Sequence, residues 1–71
     1  MSDARAPIVV SRVMPGEPPF RIVEINGEMV GTAHDILDVV RLAQRAGSRH
    51  IDLDDPAAVR WVGGDKYTWA L

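Results

Sequence analysis

Seventy-one residues with a formal net charge of -2 make one small domain, and a chain this short buries only about 60% of the surface its unfolded state exposes. Eight basic against ten acidic residues give no global electrostatic reason to bind nucleic acid or an anionic membrane, and no apolar run approaches the roughly 20 residues that span a bilayer. The absence of cysteine excludes disulfides and thiolate metal sites, which shifts the expected supplement to a thin core toward an oligomer or a partner.

Residues 1–7 are small, polar and charged and read as a loose terminus. They lack the apolar core of a signal peptide, and with no cysteine the expected location is cytoplasmic. Ile8 to Met14 form a β-branched run suited to a strand, apolar on both faces in its first half. Pro15, Gly16, Glu17, Pro18 and Pro19 then impose a stiff connector.

From Phe20 to Ala33 the pattern is a β-hairpin, because Asn26-Gly27 between two apolar runs favours a two-residue type I′ turn. That turn pairs Ile25 with Glu28, Glu24 with Met29, Val23 with Val30 and Ile22 with Gly31. Alternation puts Phe20, Ile22 and Met29 with Glu24 on one side, and Val23, Ile25 and Val30 with Arg21 and Glu28 on the other. Both faces therefore carry apolar residues, and one helix can cover only one of them. The other face calls for the C-terminal third, a second copy or a partner.

The spacing predicts a helix over Thr32 to Gly47, with Thr32 and Asp35 as a capping-box-like start and Gly47 as the stop. Arg41 and Arg45 suit the negative end of its dipole. Ala33, Ile36, Leu37, Val40 and Ala43 make the expected core stripe, and Val39, Leu42 and Ala46 widen it beyond what one sheet surface covers. His34, Asp38, Arg41 and Arg45 fill the solvated strip, where Asp38 can pair with Arg41. Leu42 borders that strip and is the helix residue expected to touch something outside the chain.

After the helix, His50 to Asp54 alternates as a short half-buried strand would. Asp55-Pro56 opens a single helical turn through Ala57, Ala58 and Val59. Arg60 to Val62 leaves that turn, and Gly63-Gly64 suggests a terminal hairpin ending in Tyr67 and Trp69.

Several side chains have residue types that chemistry uses. Asp52, Asp54 and Asp55 offer hard-cation oxygens, but without the spacing of a calcium loop, so capping and exposed strand positions account for them. His34 and Asp38, four apart, could share a metal or a proton with His50 only if that residue came to the helix start, which the sequence does not indicate. Gly63, Gly64 and Lys66 lack phosphate-loop spacing, and no serine sits in a nucleophile elbow. No catalytic residue, metal or cofactor is assigned, and the chain is read as non-enzymatic.

The expected fold is α+β: a small antiparallel sheet of three to four strands, one main helix on one face, and a C-terminal tail with a short helical turn. The expected function is a small interaction or regulatory domain that binds another protein or itself through apolar and aromatic surface, with Val39, Leu42 and Trp69 as contact residues. The alternative is a nucleic-acid-binding module using Arg41, Arg45 and Arg49, which repeat at intervals of four.

Overall fold

The computed structural model describes residues 6–48 and 50–71, and in it one helix packs on a four-stranded mixed sheet. The elements are β1 (Ile8–Val10), β2 (Arg21–Ile25), β3 (Glu28–Ala33), α1 (Ile36–Arg45) and β4 (Val59–Trp61), and the strand order is β3-β2-β1-β4. The first three strands pair antiparallel, as expected. β4 instead joins the outer edge of β1 in parallel, because the chain crosses from β3 through the helix to the opposite side of the sheet.

β1 ends four residues earlier than the apolar run suggests. At Ser11 the ladder is diverted: the Ser11 hydroxyl accepts from the Ile22 N–H at 2.7 Å, and the Ser11 carbonyl accepts from Arg21 Nε at 2.6 Å. The proline connector is then closed by paired hydrogen bonds between Met14 and Phe20. In the hairpin, Asn26 and Gly27 take φ of 53° and 82°, the left-handed pair that a type I′ turn demands. Ile25 faces Glu28 and Glu24 faces Met29 as predicted, but Val30 is an extra residue, so Val23 pairs with Gly31 and Ile22 with Thr32. Such a bulge bends an edge strand and lets it turn a side chain toward the core.

The helix starts later than expected. Thr32 and Ala33 remain extended in β3, and Asp35 is the N-cap, its carboxylate accepting from the Asp38 N–H at 2.9 Å while Asp38 accepts from the His34 N–H at 2.9 Å. The reciprocal cap predicted at Thr32 and Asp35 is thus made three residues on. At the other end, Ser48 N–H reaches the Ala43 carbonyl and Gly47 N–H that of Gln44, the bonding pattern of a Schellman close.

The buried stripe of α1 is centred on Val39 and Ala43, whereas Leu37 is 61% exposed and is not core. Leu42 sets this phase. Its side chain lies on Gly31, where a Cβ would come within 2.8 Å of Leu42 Cδ2, so the glycine admits the helix and rotates Leu37 away. The core contains Ile8, Val10, Val23, Ile25, Ala33, Val39, Ala43 and Val59.

No strand forms at His50 to Asp54. Asp52 bends the chain by accepting the Asp54 N–H on its carboxylate and the Asp55 N–H on its carbonyl, a local bond that competes with a sheet ladder. Ile51 and Leu53 still pack against the core. The turn at Pro56 is present, and the Asp55 carboxylate accepts from the Ala57 N–H at 2.9 Å. Gly63-Gly64 does not make a hairpin. Both glycines have positive φ, and a Cβ on Gly63 would lie 2.6 Å from that of Arg12, so only glycine lets the tail turn back here.

Candidate interaction surface

Arg21 fixes how the C-terminal tail lies on the sheet. Alternation along β2 places it on the same face as Val23 and Ile25, and its side chain is 0% exposed. All five guanidinium donors are satisfied by main-chain carbonyls. Nε donates to Ser11, one terminal nitrogen to Asp65 and Thr68 at 2.7 Å each, and the other to Val62 and Gly64 at 3.2 and 2.9 Å. The cation also lies 5.2 Å from the ring centroids of both Trp61 and Trp69, which meet edge to face at 6.4 Å. Burial holds its pKa below the ordinary arginine value, and the charge of Asp65 partly offsets that shift.

A buried cation without its hydrogen bonds would cost several kcal/mol, so this geometry requires the tail to wrap over one end of the sheet. Secondary bonds fasten the wrap. Trp61 Nε1 donates to the Leu53 carbonyl and Trp69 Nε1 to that of Lys66, while Asp65 accepts from the Tyr67 N–H and the Thr68 hydroxyl. Lys66 pairs with Asp54, and this hydrogen bond, more than the accompanying charge attraction, holds the ammonium pKa above its ordinary value.

The helix covers β3 and β2, and the tail residues Trp61 and Trp69 pack against that same core. The opposite sheet face receives neither. It presents Val9 from β1, Ile22 and Glu24 from β2, Thr32 from β3 and Arg60 from β4, because directly paired residues share a face. Val9 and Ile22 are half-buried, and Glu24, Thr32 and Arg60 are exposed. Met29, opposite Glu24, is 58% exposed.

Two smaller hollows lie elsewhere. One, about 160 Å³, is lined by Val30, Leu42, Arg45 and Ala46 at the margin of α1 and β3. The other, about 260 Å³, is crossed by the Asp54–Lys66 pair and walled by Leu53, Trp61 and Tyr67.

The residues singled out as contacts do not form one patch. Val39 is fully buried and belongs to the core of the single chain; Leu42 is half-buried against Gly31; Trp69 is half-buried against Arg21 at the other end of the sheet. Arg41 is exposed and 3.6 Å from Asp38, Arg45 rims the smaller hollow, and Arg49 lies outside the described residues. Arg60 stands on the opposite sheet face in a row with Glu24.

His34 Nδ1 lies 3.5 Å from Asp38, and the carboxylates of Asp52 and Asp55 cap backbone N–H groups. Among the described residues no group of three or more His, Asp or Glu side chains is placed to share a metal ion, and no helix is long and apolar enough to cross a membrane.

Arg21 and the Glu24–Arg60 row are what residue-type reasoning passed over. The available signal was an arginine at alternate spacing with Val23 and Ile25, together with aromatic residues in the tail. The chain matches no protein-family model, no curated protein and no solved structure.

Proposed function

We propose that the chain is a small binding domain, non-catalytic and suited to an interaction or regulatory role, whose working surface is the sheet face opposite α1. One observation carries this reading: the helix and the tail pack on the same core, leaving Val9, Ile22 and Met29 without cover from either. A two-layer domain of this size gains stability from covering such a face. The polar side chains support binding over chemistry, since Asp35, Asp38, Asp52, Asp55 and Asp65 all accept hydrogen bonds from the chain's own backbone.

The test is a photo-crosslinking amino acid placed at Val9, and as a control at Leu37 on the outward side of the helix, in cells of the source organism. Crosslinks from position 9 to one dominant protein species, self or other, are expected. Crosslinks only from position 37, or from neither position, would overturn the reading.

A further inference from the structure

We propose that the partner of this face is a second copy of the chain, packed sheet to sheet about a twofold axis that runs along β1, with Glu24 of each copy opposite Arg60 of the other. The proposal rests on the reading of that face as the binding surface and names its occupant.

Val9 is directly paired with Glu24 on β2 and with Arg60 on β4, so the three residues form a row across the open face with an anion, an aliphatic side chain and a cation in sequence. Adjacent strands are about 4.8 Å apart, which puts the Cα atoms of Glu24 and Arg60 at about equal distances on either side of Val9. Neither charge has an ion-pair partner among the described residues.

A twofold axis along β1 exchanges the β2 and β4 sides as it turns the sheet over. It therefore brings each Glu24 onto the other copy's Arg60 and sets Val9 against Val9. An axis across the strands would place Glu24 on Glu24 and Arg60 on Arg60, which like-charge repulsion disfavours. The charge row thus selects one of the two simple face-to-face arrangements.

The residues just beyond the strand ends agree with this axis. Just past the end of the ladder, Ser11 stays bonded to Ile22 through both its N–H and its hydroxyl, and the Val62 N–H donates to the Val10 carbonyl. These bonds place Ile22 and Val62 on either side of the β1 end, and Val62 is 37% exposed. The axis along β1 lays Ile22 of one copy on Val62 of the other, apolar on apolar. It also keeps the strands of the two sheets near alignment, the usual geometry of a sandwich.

The overlap covers β2, β1 and β4 while β3 overhangs. Three strands give a strip about 15 Å wide, and strands of three to five residues at about 3.3 Å per residue make it roughly 10–17 Å long, a footprint on the order of 200 Å², which is less than the roughly 800 Å² per partner of a standard stable interface. The dimer should therefore dissociate on dilution and weaken with salt.

Sedimentation equilibrium of the full chain across a wide concentration range tests the proposal, with melting temperature as the folding control. The parent should show a monomer–dimer equilibrium. Glu24→Arg and Arg60→Glu alone should each weaken it at least tenfold, while the two single variants mixed, and the double variant by itself, should both recover it. A monomeric parent at every concentration, or single variants that dimerise as the parent does, would overturn self-pairing. If the parent is monomeric yet position 9 still crosslinks to another protein, only the choice of a second copy fails; if position 9 crosslinks to nothing, the binding face fails with it.

Discussion

The guanidinium of Arg21 lies 5.2 Å from the ring centroid of Trp69, a contact that ties the second strand of the sheet to a residue almost at the end of the chain. Sequence separation this large is costly to close, so the contact is held by many bonds at once: five carbonyl acceptors, two aromatic rings and the turn at Gly63-Gly64. Among the described residues, neither this tail nor the helix lies on the opposite face.

Arg21→Lys should destabilise the domain by about 3 kcal/mol, because an ammonium has three donors for five carbonyls and leaves buried acceptors unpaired. At this chain length that corresponds to a fall in melting temperature of more than about 10 °C. Thermal unfolding followed by circular dichroism measures it. A loss under about 1 kcal/mol would mean that the carbonyls find other donors.

Trp69→Ala should cost about 2 kcal/mol through lost burial and a lost cation–π contact. In a double-mutant cycle with Arg21→Met the two losses should fall short of additivity, since both act on one network. Urea denaturation of the four proteins supplies the cycle, and strict additivity would separate the tail from the arginine.

The position of the helix start gives a third expectation. Asp35→Ala removes the N-cap acceptor of the Asp38 N–H and should cost about 1 kcal/mol, whereas Thr32→Ala, in exposed extended backbone, should stay within about 0.5 kcal/mol. Helical content and melting temperature of the two variants distinguish a helix begun at Ile36 from one begun after Thr32.

Alkaline pH isolates the Asp54–Lys66 link. Folding raises the Lys66 pKa, chiefly through its hydrogen bond to Asp54, so the folded state favours the protonated amine. The stabilisation is then fully present below the unfolded lysine value of about 10.4 and is lost as pH rises through the folded value. Parent and Lys66→Met should differ in stability at neutral pH and converge well above that value. Parallel pH profiles would show that the pair contributes nothing to folding.

Much of the architecture was legible in local chemistry. Asn26-Gly27 fixed the hairpin and the first two cross-strand pairs, Asp55-Pro56 the later turn, and Gly47 the helix stop. What failed had competing local bonds or distant causes. Asp52, on a strand-like alternation, closed a turn on itself, and the Val30 bulge shifted the rest of the hairpin register. Leu42 went inward because Gly31, on another element, left room for it, and Leu37 went outward as a result.

The candidate site was less legible. Val39 belongs to the core, and the Glu24–Val9–Arg60 row exists only once β4 is known to pair with β1 in parallel. Arg21 was placed on the correct face by alternation, but a charged side chain on an apolar face reads as solvated until the carbonyls that enclose it, more than forty residues away, are brought together.

The direct test of the Arg21 latch is proton exchange at its guanidinium, followed by nitrogen-edited NMR of the full chain at neutral pH. Enclosed by five carbonyls and two indoles, the Arg21 side chain should give distinct, slowly exchanging Nε–H and Nη–H resonances moved upfield by the Trp61 and Trp69 rings. A fast-exchanging, averaged signal like that of a solvent-exposed arginine would contradict the latch, and with it the fixed tail that leaves the opposite sheet face open.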